Sequence, residues 1–167
     1  LGDKVSIVID PRQEARAADS KLGFAMLHPI AHASPDSPSM ALHIGLPHDA
    51  SAQRIRDCVQ AWLMRQAKRL FEERLNHFAP RLGVRWTKLS LSNASSRWGS
   101  AGSDGAIRLN WRLIHFRQSV IDYVVVHELS HLRVMDHSPK FWSTVESIMP
   151  DYSLYKAQLR DEVIPKW

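Results

Sequence analysis

The sequence predicts an α+β protein, in which short strands form small sheets beside longer helices. Alternating or clustered apolar residues predict strands at 5–9, 22–27 and 41–46, which together make a small β-rich N-terminal part. Apolar residues at three-and-four spacing then predict a long helix that begins after Ser51, and a segment that is apolar on nearly every side predicts a second helix from Gln118. We therefore divide the chain into an N-terminal β-rich segment, residues 1–50, and a second domain, residues 51–167.

The composition of the 167 residues, 44% hydrophobic and 23% charged, is typical of a globular protein with a core. No apolar run approaches the roughly 20 residues that cross a bilayer, and no signal-peptide pattern opens the sequence, so we expect no membrane partner. The lone Cys58 excludes an internal disulfide and a four-cysteine zinc site, and we expect a cytoplasmic protein. The net charge of +5 leaves DNA or a DNA-bound protein open as a partner.

The first long helix is expected to begin at a Ser51 cap and to run to about Phe78. Pro80 and Gly83 are expected to break it. Its apolar side chains recur at helical spacing and predict one face toward a core: Ile55, Val59, Trp62, Leu63 and Leu70.

Two strands, 84–92 and 106–110, are predicted to pair as a hairpin in a small antiparallel sheet. The intervening loop contains three glycines that are expected to serve its turn geometry: Gly99, Gly102 and Gly105. We expect residues 107–110 to form an edge strand on which an extended peptide can lie. Four aromatic residues are expected to anchor the core: Trp98, Trp111, Phe141 and Trp142.

The helix from Gln118 to about residue 134 is apolar on nearly every side, which predicts a buried position. The Ser138-Pro139 pair predicts the start of another helix that runs to about Met149. Pro150 then separates it from a last helix over residues 152–161.

The segment HELSH, residues 127–131 of the buried helix, has the spacing of a metal site. An α-helix turns about 100° per residue, so histidines four positions apart lie about 40° from each other on one face. Their imidazoles can bind one ion, while Glu128 is turned aside and can hold a water. The pattern predicts that His127 and His131 bind zinc and that Glu128 is the catalytic base.

A third ligand is needed, because a catalytic zinc usually takes three protein ligands and keeps a fourth position for water. We favour His137, which requires the helix to end within residues 132–136 so that the chain can turn back. The helix start at Ser138-Pro139 supports such a break. Glu146, on that next helix, and Asp136 stay open as alternative ligands.

This set of residues predicts a zinc-dependent hydrolase that cleaves peptide bonds. Glu128 would take a proton from zinc-bound water as it attacks, and would pass it to the leaving amine. The oxyanion needs a hydrogen-bond donor, for which Arg97, Tyr123, His115 or a backbone amide are candidates. Two alternatives stay open: a nucleic-acid-associated binding module with a structural zinc site, and a zinc hydrolase of a non-peptide amide.

Several segments resemble the YgjP-like metallopeptidase family, which is related to the WLM and SprT-like zinc proteases. The resemblance is carried by DYVVVHELSHL at residues 122–132 and by HSPKFW at residues 137–142. It is supported by RWGS at residues 97–100, by residues 107–114 and by MPDY at residues 149–152. The similar region extends from about residue 41 to the C-terminus.

The resemblance implies a zincin-like α+β metallopeptidase domain, with an active-site helix beside a small antiparallel sheet and a polypeptide substrate. It also implies that His127, His131 and His137 bind zinc and that Glu128 is the catalytic base. This chain departs from the family at Ala101, where a cysteine usually follows the Trp-Gly-Ser motif, so any role of that thiol is absent here. Related proteases act on DNA-bound proteins, which agrees with the basic charge.

Overall fold

The computed structural model describes residues 5–13, 25–30, 38 and 40–161. Within them the chain forms six β-strands, arranged in two three-stranded sheets, and four α-helices. The predicted α+β class is confirmed. By internal contacts the chain divides into two compact units, residues 2–65 and 66–167. The boundary that we placed between residues 50 and 51 stays a prediction.

The first sheet consists of β1 (Val5–Ile9), β2 (Ala25–Pro29) and β3 (Met40–Ile44), so the N-terminal part is β-rich as predicted. The strand order is β1-β3-β2, and β3 pairs in parallel with β1 and antiparallel with β2. Residues 22–24 of the predicted second strand lie outside the described residues. Alternate residues of β3 point to one face, where they are buried in a core with side chains of the first helix: Leu42, Ile44, Cys58 and Val59.

Helix α1 (Ala52–Leu82) is the longest element. Ser51 caps its first turn as predicted, since its Oγ accepts a hydrogen bond from Arg54 N at 3.3 Å. The prediction that Pro80 breaks the helix is wrong, because Pro80 lies in the last turn. The end is set instead by Gly83, whose φ of 65° suits glycine and whose N–H donates to Pro80 O at 3.1 Å.

The second sheet consists of β4 (Lys88–Ser92), β5 (Gly99–Ala101) and β6 (Ala106–Asn110), in the order β4-β6-β5. The prediction of a hairpin between β4 and β6 is wrong, because these strands run parallel and the hairpin joins β5 to β6. The turn between β5 and β6 contains Gly105 at a φ of 84°, as expected for a turn glycine. The sheet is therefore mixed, and only its β5–β6 pair is antiparallel as expected.

Three helices complete the second unit: α2 (Gln118–His131), α3 (Pro139–Glu146) and α4 (Tyr152–Asp161). Helix α2 is buried on most sides, as its apolar sequence predicted. A short 3-10 segment, Trp111–His115, leads from β6 toward it. None of the helices in the described ranges combines the length and apolar character that a membrane span requires.

The core of the second unit is built on large side chains that are fully buried, among them Phe71, Trp111, Leu129 and Phe141. The anchor role predicted for Trp111 and Phe141 is confirmed. Trp98 and Trp142 are only half-buried. Trp142 belongs instead to the wall of the histidine cluster described next.

Candidate metal centre

The C-terminal turns of α2 bring together the two histidines of the HELSH segment. The ring centroids of His127 and His131 lie 5.0 Å apart. This closeness follows from their spacing of four residues, which places both side chains on one face of the helix. Both rings are partly buried.

The chain reverses at the end of α2 without a glycine. The helix ends at His131, and its last amides shift to i→i−3 bonding: Leu132 N donates to Leu129 O at 3.1 Å, and Arg133 N donates to Ser130 O at 3.0 Å. This tightened turn ends the helix where the sequence argument needed a break.

The turn brings a third histidine to the first two. The ligand atoms of His127, His131 and His137 all lie within 4.8 Å of one another, and Nε2 of His137 lies 3.1 Å from Nε2 of His127. Zinc bound tetrahedrally by imidazoles at about 2.0–2.1 Å separates two ligand nitrogens by about 3.3 Å. The three histidines therefore have the donor type and nearly the spacing that a zinc ion requires.

Aromatic side chains support the cluster from behind. The fully buried ring of Phe141, in the first turn of α3, contacts all three histidines, with ring centroids 4.5–4.9 Å apart. Trp142 stacks on His137 at 5.7 Å, with 26° between the ring planes. The histidine rings are thus held by packing as well as by their backbones.

Helix α4 extends this aromatic wall. Tyr152 stacks on Trp142 with ring centroids 5.3 Å apart and 15° between the planes. One turn further along the helix, the ammonium nitrogen of Lys156 lies 3.9 Å from the centre of a Trp142 ring, in a cation–π contact. The Lys156 charge also reaches His127, whose protonation it disfavours.

The surroundings of the cluster favour neutral imidazoles. Burial, followed by the charges of His131, His137 and Lys156, lowers the pKa of His127 to about 3. Burial also lowers the pKa of His131. The Nδ1 atom of His127 is buried and has no hydrogen-bond partner among the described residues. A neutral imidazole has a nitrogen lone pair available, which is the form that binds a metal cation.

Glu128 lies beside the cluster in a dry position. Its side chain is 5% exposed, and burial raises the pKa of its carboxyl to about 8. A glutamate in such a position is a stronger base than one in water. Its carboxyl group packs against Gly99, at the start of β5.

The alternative metal ligands lie outside the histidine cluster in the described structure. Glu146, at the end of α3, is exposed and is not part of the group of converging ligand atoms. Asp136 is exposed too, and its Oδ1 accepts a hydrogen bond from Ser138 N at 3.3 Å. The geometry therefore favours His137 over both carboxylates.

The three side chains considered as oxyanion donors lie in different surroundings. Arg97 and His115 are exposed. Tyr123 is buried, and its ring centroid lies 5.9 Å from that of His127. Burial, followed by the charges of Tyr152 and Glu128, raises the pKa of Tyr123 to about 12, so its hydroxyl keeps its proton at neutral pH.

The expected peptide-binding edge is not where the sequence placed it. The prediction that residues 107–110 form an edge strand is wrong, because β6 has β4 on one side and β5 on the other. The strand β5 lies at the sheet edge instead. The segment that leads into β5 is held by the buried Asn110, whose Nδ2 donates hydrogen bonds to Ala94 O at 2.8 Å and to Arg97 O at 3.4 Å.

Sequence reasoning missed three contributors to the site: Gly99, Tyr152 and Lys156. Gly99 had been assigned to turn geometry, although it lies in a strand. The i,i+4 pair on α4 carried a signal that was overlooked, since Tyr152 and Lys156 share one face of that helix.

Comparisons with known proteins agree with this fold. The crystal structure of the metallopeptidase zymogen abylysin from Pyrococcus abyssi is similar, with a TM-score of 0.50 and 22% identity over 53% of this chain and 90% of that chain. The metallopeptidase zymogen jannalysin from Methanocaldococcus jannaschii has a TM-score of 0.46 and 17% identity over 54% of this chain and 96% of that chain. Curated proteins gave no match.

The sequence itself provides the family assignment. The family model of the YgjP-like metallopeptidase domain matches residues 33–162, which is most of the chain. This range contains the whole histidine cluster, Glu128 and all three strands of the second sheet. The chain therefore belongs to the YgjP-like metallopeptidase family and is a metallopeptidase, as the sequence resemblance implied.

Proposed function

We propose that the chain hydrolyses peptide bonds with a zinc ion bound by His127, His131 and His137 and with Glu128 as the general base. The observation that carries the proposal is the convergence of three imidazole ligand atoms within 4.8 Å, next to a buried glutamate. A structural zinc site has no use for such a base, because its four positions are filled by protein ligands.

Zinc at this site would lower the pKa of a coordinated water to about 7 and would polarise the scissile carbonyl. Glu128 accepts a proton from the attacking water at its carboxylate oxygen and delivers it to the leaving amine. Burial raises the pKa of the Glu128 carboxyl to about 8 in the metal-free protein, and a zinc ion beside it would favour the carboxylate, which is the form that accepts a proton.

Tyr123 is the side chain best suited to donate a hydrogen bond to the oxyanion. Among the candidates it is the one buried against His127, and its raised pKa keeps the hydroxyl protonated. A fixed donor in a water-poor site stabilises the charge that develops in the transition state.

The substrate is proposed to bind as an extended strand along β5. This strand lies at the edge of its sheet, and Gly99 at its start contacts Glu128. Backbone pairing there would hold a peptide beside the base, with little dependence on peptide sequence.

The first test is the metal content of purified protein beside that of a His131→Ala variant. We expect about one zinc per chain, lost in the variant, because catalytic zinc needs its three protein ligands. Unfolded polypeptide is then offered to the protein and to Glu128→Gln, which should keep its zinc and lose about 10²–10⁴-fold in kcat/KM. Absence of zinc in the reconstituted protein would overturn the proposal. DNA binding that is independent of zinc, without cleavage, would favour a binding module instead.

A further inference from the structure

Gly99 occupies a position at which a side chain would collide with the present position of the Glu128 carboxyl group. A Cβ atom built on Gly99 would lie 2.7 Å from Cδ and 2.8 Å from Cγ of Glu128, and closer still to Oε1. Real Cβ atoms essentially never approach another heavy atom within 3.0 Å. The carboxyl end of Glu128 therefore fills the space that a side chain at residue 99 would take.

The requirement for glycine is one of space and not of backbone conformation. Gly83 and Gly105 have positive φ angles, whereas Gly99 does not, so its backbone conformation is open to alanine. Gly99 is paired with Leu109 in the β5–β6 hairpin, and Leu109 is fully buried. The strand is thus tied to the core and cannot easily move away from Glu128.

The helix that carries Glu128 is fixed by packing as well. Its side chain is 5% exposed, and the next two residues of α2, Leu129 and Ser130, are fully buried. Ser130 also makes a hydrogen bond within the helix, in which its Oγ donates to Val126 O at 2.7 Å. An added methyl group would have to push the carboxyl group out of its present position, because the methyl carbon and the carboxyl atoms cannot occupy the same space.

We propose that Gly99 is a positioning residue for the general base: its missing side chain leaves the space in which the Glu128 carboxyl group is held. This inference rests on the proposed function, in which β5 also binds the substrate. One strand then sets the place of the peptide and, through Gly99, the place of the base. The contact between Gly99 on β5 and Glu128 on α2 thereby contributes to their relative geometry.

The contact is tested first without any reference to activity. Gly99→Ala is expected to lower the melting temperature by about 3–10 °C, as overpacking does in a domain of this size. In a Glu128→Ala background the atoms that collide with the new methyl group are gone, so the same substitution should have little effect. If Gly99→Ala alone does not fold, restored folding in the double variant is the expected result. An equal effect of Gly99→Ala in both backgrounds would overturn the proposal.

Gly102→Ala is the matched control, because it adds a methyl group beside a different carboxylate, that of Asp104 in the turn. We expect its effect on the melting temperature to be the same with Glu128 and with Ala at residue 128. Distant substitutions of this kind are usually additive.

The catalytic consequence is tested by steady-state kinetics on a peptide that the unmodified protein cleaves. Gly99→Ala keeps the N–H and C=O groups that pair with a substrate, so KM and zinc content should stay close to normal. The misplaced base should lower kcat by about 10–100-fold, since a shift near 1 Å has that effect. If the unmodified chain cleaves no polypeptide, the proposed function fails and the catalytic role of Gly99 fails with it. If it cleaves and Gly99→Ala retains a normal kcat, only the positioning role is refuted.

Discussion

Nε2 of His137 lies 3.1 Å from Nε2 of His127, although the two residues are ten positions apart and only His127 lies in a helix. The tightened last turn of α2 and the packing of Trp142 on His137 bring them together. The exposed Glu146 is not part of this group of converging ligand atoms. The identity of the third ligand thus becomes a testable question.

His137→Ala should lower zinc affinity by more than about 100-fold, since loss of a direct ligand should exceed the 10–100-fold effect of its supporting partners. Glu146→Gln should leave the affinity unchanged. Competition with a chromogenic chelator measures both. The reverse pattern would make Glu146 the third ligand.

Trp142→Leu should weaken zinc binding by about 10–100-fold, because the stacking partner that orients His137 is lost. Trp62→Leu, a half-buried tryptophan of the first unit, is the control for loss of an indole. Zinc affinity is measured by the same competition, with circular dichroism to verify folding. Equal affinities for both variants would show that the stack does not orient His137.

Tyr123→Phe should lower kcat by about 10²–10³-fold if its hydroxyl stabilises the oxyanion, with zinc content unchanged. Tyr155→Phe, on α4, removes a hydroxyl without touching His127 and should retain the kcat of the unmodified protein. Steady-state kinetics on the same peptide gives both values. A Tyr123→Phe enzyme with normal kcat would move this role to Arg97, His115 or a backbone amide.

Protonation of His127 should destabilise the metal-free protein as the pH falls below about 6.5. Burial lowers the pKa of His127 to about 3, whereas in the unfolded chain it is about 6.5. Between these values the unfolded state binds more protons at this residue, so His127 by itself should lower the free energy of unfolding by up to about 1.4 kcal/mol per pH unit as the pH falls. The His127 contribution is fully lost near pH 3, and the lowered pKa of His131 acts in the same direction. Glu128, whose pKa burial raises to about 8, acts in the opposite direction at pH values between about 4.5 and 8.

Urea denaturation at pH 7, 6 and 5 in the presence of a chelator measures this slope. His127→Gln removes the His127 contribution, so the free energy of unfolding of this variant, relative to that of the unmodified protein, should rise as the pH falls from 7 to 5. A slope that is the same in both proteins would assign the acid sensitivity to other groups.

Asp122→Asn should destabilise the protein by about 2–4 kcal/mol. Asp122 accepts two hydrogen bonds from Arg74, at 2.6 and 2.9 Å, and the side chains are 13% and 14% exposed. Removal of one partner leaves a largely buried charge uncompensated. The control is Glu72→Gln, which breaks the exposed 3.9 Å contact with Lys68 and should cost less than about 0.5 kcal/mol by urea denaturation. Equal losses would contradict the role of burial.

Local patterns predicted a large part of the fold. The last helix was expected at residues 152–161 and is observed as Tyr152–Asp161. The first and third strands were placed within two residues of their ends. These elements depend on periodicity within a few residues, which the sequence carries directly. The Pro80 prediction failed because a proline in the last turn of a helix disrupts little of its hydrogen bonding. The helix ends instead at Gly83, whose φ angle lies in the left-handed region.

Strand partners were harder to predict. An alternating strand pattern shows which residues face the core, but it does not name the neighbour or its direction. For this reason we expected β4 and β6 to form a hairpin. In the structure these two strands pair in parallel, and β5, which lies between them in the sequence, forms the hairpin with β6. The edge position of β5 followed only from that pairing.

The sequence by itself determined the family, the helical spacing of His127 and His131, and the place of Glu128 between them. All three depend on local order along the chain, because the spacing of residues in a helix fixes the directions in which their side chains point. Only the tertiary structure decided that His137 joins the cluster, that Phe141 and Trp142 support it, and that Gly99 leaves room for Glu128. Such contacts arise when the chain folds back on itself, and each depends on close packing between elements that no local pattern records.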